Sequence, residues 1–153
     1  MKTSNTTNLF NSIRDLILES RKEIVRNINS AITLTYYQIG LYITEDELKG
    51  KGRAEYSKQT FKRLSAALTK EFGKGYSVDN LENFKRFYVT YQTRISETPS
   101  RKSSSLPSSE TLSRKLVNKF RLSWSHYVIL IKLKSEEERG FYEIEAEKRI
   151  IGQ

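Results

Sequence analysis

An apolar repeat runs from about residue 7 to residue 46 without meeting a proline, and it limits this chain's folding more than any other feature. Leu9, Ile13, Leu16, Ile17, Ile24, Ile28, Ala31, Ile32, Tyr36, Ile39 and Ile43 recur at steps of three and four residues. That spacing lines them along one side of an α-helix. The pattern predicts one long amphipathic helix, or two collinear ones, with Gly40 as the weak point. Helices of ordinary domains run about 8–20 residues. One this long in a chain of 153 residues points to a shared surface: with the block around Trp124 it could build a homodimer or dock another protein.

Beyond it, Lys49-Gly-Lys-Gly-Arg53 reads as a loop. A second helix is expected over 54–72, with Tyr56, Phe61, Leu64, Ala67, Leu68 and Phe72 on one face. Gly73 and Gly75 end it, because glycine accepts the left-handed conformation found just past a helix end. Ser77 is placed to cap a third helix striped by Leu81, Phe84, Phe87, Tyr88 and Tyr91. From about 93 to 112 the chain holds both of its prolines and many serines, the composition of a mobile insertion. Order resumes near 119, with a short strand expected at Lys119–Leu122. Ser123 or Ser125 can cap a short buried helix there. Ser135-Glu-Glu-Glu138 forms a capping box for a last helix, whose apolar contacts would be Phe141, Ile144, Ile150 and Ile151. The expected fold is a single, mainly α domain over 1–153.

Charge is distributed unevenly along the chain. The net formal charge is +9. Residues 49–74 carry eight Lys/Arg against two Asp/Glu, and residues 96–122 carry six against two. The first 48 residues and the last 31 are each close to neutral. A basic block confined to mid-chain is the footprint expected for a polyanion partner, DNA above all. The competing reading is a solvated, lysine-rich helix face.

Several chemistries lack their residues. There is no cysteine, so disulfides and thiolate metal sites are excluded, and one histidine cannot build a paired-histidine zinc site. No metal or cofactor is expected. The polar start MKTSNTTNLF lacks the apolar core of a signal peptide, and the apolar run Tyr127–Ile131 is too short to cross a bilayer. A soluble, cytoplasmic protein with no membrane partner is expected. His126 lies among serines in Ser-Trp-Ser-His-Tyr, but no nucleophile elbow such as Gly-x-Ser-x-Gly accompanies it. Trp124, His126 and Tyr127 read instead as a packing motif in which the histidine makes a structural hydrogen bond. Glu47-Leu-Lys49 matches a bare Glu-x-Lys at a helix end, without the β core a metal-dependent nuclease needs. The chain itself is not expected to be an enzyme.

Gly73-Lys-Gly-Tyr-Ser-Val-Asp-Asn-Leu81 tests the remaining possibilities. A phosphate-cradling loop needs Gly-x4-Gly-Lys-Ser/Thr between a strand and a helix. Here the glycines follow a helix, and a tyrosine comes next. Helix, glycine turn, helix is what 54–91 spells, the unit of helix-turn-helix proteins. On the polar face of the third helix lie Asp79, Glu82, Asn83, Arg86 and Thr90, with Lys85 to one side. Asparagine and arginine are residue types that read base edges. The denser charge, Lys49, Lys51, Arg53, Lys58, Lys62, Arg63 and Lys74, could hold phosphates. Ser77 and Asn80, at the start of the third helix, complete the candidate DNA-binding set.

Five blocks then bear a resemblance. They are Tyr37-Gln-Ile-Gly40; Phe61-Lys-Arg-Leu-Ser65; Gly75-Tyr-Ser-Val-Asp-Asn-Leu81; Lys119-Phe-Arg-Leu-Ser-Trp-Ser-His-Tyr127; and Glu138-Arg-Gly-Phe-Tyr-Glu-Ile-Glu-Ala146. In this order they resemble the N-terminal domain of YhcG-type proteins, over about residues 10–147. The resemblance implies a DNA-binding, winged-helix-like module that precedes a C-terminal PD-(D/E)XK nuclease domain related to Holliday-junction resolvases. The family continues past this point into a tryptophan-containing segment, whereas this sequence closes on Glu-Lys-Arg-Ile-Ile-Gly-Gln. A fragment, a truncated gene or a stand-alone domain is therefore expected. It would serve a nuclease domain in cis or in trans and lack that domain's chemistry.

Overall fold

A computed structural model describes residues 2–50, 54–96 and 119–151. Five helices occupy them: α1 (Lys2–Lys49), α2 (Ala54–Phe72), α3 (Val78–Ser96), α4 (Trp124–Leu130) and α5 (Glu136–Ile151). The apolar repeat at the N-terminus forms one unbroken helix, longer at both ends than the pattern alone indicated. Gly40 does not break it. A methyl group at Gly40 would collide with the carbonyl oxygen of Phe84 and lie 2.8 Å from Tyr88 Cβ. The glycine thus marks where α1 crosses α3 backbone to backbone.

α3 is the centre of the fold. Its expected stripe is inside: Leu81, Phe84, Phe87 and Tyr91 are all buried. On one side Ile43 of α1 and Phe61 of α2 close a cluster with Leu81 and Phe84. On the other, Tyr37, Phe120, Leu122, Tyr127 and Leu130 pack around Phe87 and Tyr91. Trp124 touches both clusters, with ring contacts to Tyr36, Phe84 and Phe87. Burying aromatic rings edge to face concentrates apolar area in few residues, and α3 carries the rings that α1, α2 and α4 share.

The α2–α3 connection is built as its residues suggest. Gly73 and Gly75 have positive φ, 84° and 112°, and the Gly73 N–H bonds the Thr69 carbonyl at 3.0 Å. Ser77 Oγ accepts the Asn80 backbone N–H at 3.2 Å, closing the first turn of α3. Ser65 Oγ donates to the Tyr76 carbonyl at 2.7 Å, tying the turn back to α2.

Not every expectation is met among the described residues. Lys119–Leu122 is irregular rather than a strand, and no strand occurs among the described residues. Phe120 and Leu122 plug the core there, and the Phe120 carbonyl is satisfied by Ser30 Oγ of α1 at 2.6 Å. A side chain replaces the ladder that a strand would need. The winged-helix detail is not seen among these residues. Of the expected 93–112 insertion, residues 93–96 belong to α3, and 97–112 lie outside the described residues. Finally, Phe141, Ile144 and Ile150 of α5 are exposed. Ala146 packs that helix against the core, and polar contacts add to it. Tyr127 donates to the buried Glu143 carboxylate at 3.3 Å, and Arg139 donates to the Leu133 and Leu130 carbonyls at 2.7 and 3.3 Å. Ser135 Oγ accepts the Glu138 N–H at 3.3 Å, the first half of the expected capping box.

Candidate nucleic-acid interface

α2 is amphipathic, and because Phe61 turns inward on α3, Lys58, Lys62 and Arg63 are left facing water. Among the described residues none of these three cations is in an ion pair. Between α2 and α3 lies an open groove of about 750 Å³. It brings Lys58 and Lys62 to one wall and Lys85 and Arg86 to the other, with Glu82 and Glu47 among its lining. Lys49, at the end of α1, and Lys74, in the glycine turn, are exposed as well. Lys51 and Arg53 lie outside the described residues.

The α3 candidates divide. Arg86 is exposed at the groove, whereas Asn83 is half-buried. Lys85 is paired with Glu47 of α1, whose side chain is only 14% exposed, so this lysine fastens α1 to α3. Ser77 has its hydroxyl in the helix cap, and Asn80 donates its side-chain amide to the Gly75 carbonyl at 3.0 Å. Both shape the turn. The outward strip of α3 includes Asp79, Glu82 and Arg86. Because α3 fills the core, α2 presents the denser basic surface.

Trp124, His126 and Tyr127 all lie in α4. Tyr127 is fully buried, and His126 Nδ1 lies 2.7 Å from Ser123 Oγ. Ser123 occupies the N-cap position of α4, but its hydroxyl makes no cap bond; it meets the histidine and Ser125 instead. Burial raises the phenol pKa values of Tyr36, Tyr37 and Tyr88 above the ordinary tyrosine value. The shift is largest at Tyr37, against which Tyr88 packs. These phenols stay protonated and act as packing groups. No cluster of three metal-ligating side chains occurs among the described residues, and no described helix is long and apolar enough to cross a membrane.

One surface escaped the sequence reading, and a second, already expected as a shared face of the long helix, lies open to water. The first is an open groove of about 730 Å³ between α4 and α5, lined by Ile129, Leu133, Phe141, Tyr142 and Ile150. The second is the N-terminal part of α1, where Leu9, Phe10, Ile13, Leu16, Ile17, Ile24 and Ile28 are all exposed. Periodicity reveals that a helix has an apolar side, but not whether its own domain covers that side.

The geometry defines an all-helical domain organised around a buried aromatic helix, with a basic groove on one side. The DUF1016 N-terminal domain profile matches residues 12–151, and the chain belongs to that family. It is 34% identical over 157 aligned residues to a protein of Escherichia coli (strain K12) named "Putative nuclease YhcG". The alignment covers 94% of this chain and 41% of that protein, so the chain spans about two fifths of its relative. No solved structure matches.

Proposed function

We propose that this domain is the DNA-binding module of a nuclease-associated protein, gripping phosphates while a separate nuclease domain cuts. The observation that carries this reading is the set Lys58, Lys62 and Arg63 on the exposed face of α2, in no ion pair among the described residues, beside Arg86 at the groove. Cations without acidic partners are available to displace the counterions condensed on DNA, and that release drives association. The relative's name supplies the nuclease connection. In this reading Lys49, Lys51, Arg53 and Lys74 extend the phosphate contacts, and Arg86 is the side chain best placed to reach a base edge.

Binding of duplex, branched and single-stranded DNA across a salt series tests it. Replacing Lys58, Lys62 and Arg63 together by alanine weakens binding to every sequence and reduces the salt slope by about one unit per lost phosphate contact. Replacing Arg86 changes preference among sequences. Unchanged affinity and slope in the triple variant would mean that the basic face is merely solvated.

A second reading, a self-association module, is favoured by the exposed apolar side of α1. The two are compatible, since a dimer would present two basic faces to one duplex.

A further inference from the structure

We propose that the N-terminal arm of α1, residues 5–29, pairs with the same arm of a second copy as a parallel two-stranded coiled coil. This rests on the self-association reading and names the surface and its orientation. Leu9, Ile13, Leu16, Ile17, Ile24 and Ile28 are between 46% and 67% exposed. At 3.6 residues per turn they centre about 130° around the helix from Ser30, Thr33, Leu34, Tyr37 and Gly40, the side that packs on the core. The stripe therefore does not continue the core face, and the arm reaches out as a rod of roughly 37 Å. Phe10, Ile13, Ile17, Ser20 and Ile24 step 3-4-3-4, the spacing of a coiled-coil seam.

Area and charge favour a copy of the same chain as the occupant. The six side chains and Phe10, at about 60–120 Å² each on full burial, offer roughly 400–800 Å² per partner. That approaches the ~800 Å² per side of a standard interface. The arm carries Arg14, Arg21, Lys22 and Arg26 against Asp15, Glu19 and Glu23, so it is nearly neutral and offers no complement to a strongly charged partner. Arg14 and Arg21 flank the stripe on one side. Glu19 and Glu23 lie on the other, where Arg26 approaches them at 3.6 and 3.5 Å. In a parallel pair the two-fold axis runs along the helices, and Arg14 and Arg21 of one copy face the opposite flank of the other, where Leu9, Leu16 and Glu23 lie, so the arginines are kept apart. An antiparallel pair sets Arg14 and Arg21 against the same arginines of the partner, which repel. Parallel arms place both folded domains at one end.

Sedimentation equilibrium of the 153-residue chain reads the mass, and single cysteines in this cysteine-free sequence read the orientation. The expected mass is twice 17.9 kDa, falling to one copy in Ile13→Asp/Ile17→Asp with the near-UV signal of the aromatic core retained. Under oxidation Phe10→Cys and Ile24→Cys each cross-link to their own kind, and a mixture gives no 10–24 product. A monomeric parent overturns the self-association reading and this inference together. A dimer that survives Ile13→Asp/Ile17→Asp leaves the reading standing and overturns the arm as its seat, pointing to another surface such as the α4–α5 groove. Loss of the dimer in that variant combined with only 10–24 cross-links overturns the parallel orientation.

Discussion

Gly40→Ala separates the two roles a helical glycine can have. On propensity alone the change stabilises, since alanine is favoured over glycine in a helix interior by about 1 kcal/mol. In this fold the added methyl would overlap the Phe84 carbonyl, sit 2.7 Å from its carbon and 2.8 Å from Tyr88 Cβ. Two of those obstacles are backbone atoms of α3, which no rotamer change can move. Relief requires α1 and α3 to separate by roughly one ångström, a gap that forfeits about half of each affected contact's dispersion energy. Overpacking of a filled site costs about 1–3 kcal/mol, and a rigid site belongs at the upper end. The net expectation is a loss of about 2 kcal/mol, or a fall of about 4–8 °C in Tm for a chain of this size. Gly140→Ala in α5 is the matched control. Nothing lies within 4 Å of the methyl it would add, so it should stabilise by about 0.5–1 kcal/mol. Urea and thermal unfolding followed by circular dichroism measure both. A Gly40→Ala protein as stable as its parent would refute the close crossing of α1 on α3.

Thr33 is fully buried, and its hydroxyl has no hydrogen-bond partner among the described residues; Thr33→Val keeps the shape and should raise unfolding free energy by about 1 kcal/mol in urea titrations. Burial holds the Tyr37 phenol above its ordinary value, with Tyr88 adding to the shift. The unfolded chain therefore loses that proton first, near pH 10, and stability, complete below that pH, falls as pH rises further. Tyr37→Phe should flatten this alkaline loss only in part, because Tyr36 and Tyr88 are shifted the same way; unfolding titrations between pH 9 and 12 give the slopes, and an unchanged slope would contradict the burial of this phenol.

Much of the fold was legible because its signals are local. The 3–4 stripe of α3, the glycines after α2, the serine at 77 and the Ser135 half of the Ser-Glu-Glu-Glu box each act within one helical turn, and each is found where its residues place it. The Lys119–Leu122 strand failed because strand pairing is not local: Phe120 and Leu122 alternate inward as strand residues do, yet their backbone meets a serine of α1 instead of a neighbouring strand. The candidate interface divided in the same way. Lys58 and Lys62 flank the buried Phe61 at the groove and Arg63 lies on the far side of α2, and all three are exposed on a helix whose wheel is readable. Lys85 shares the sign of those residues, but Glu47, 38 residues earlier, claims it.

The sequence by itself determined the helices, their caps and turns, the basic block and the absence of thiol chemistry, since these follow from composition and from interactions a few residues apart. Only the tertiary structure decided which apolar surfaces are inside. Leu34 and Tyr37 of α1 are core while Leu9, Ile13 and Ile17 of the same helix face water, a difference set by which stretch of α1 the other helices pack against. The structure also assigned Gly40 to a helix crossing and Lys85 to an ion pair. Burial and pairing depend on what the rest of the chain brings alongside, and the spacing of residues along one helix carries no record of that.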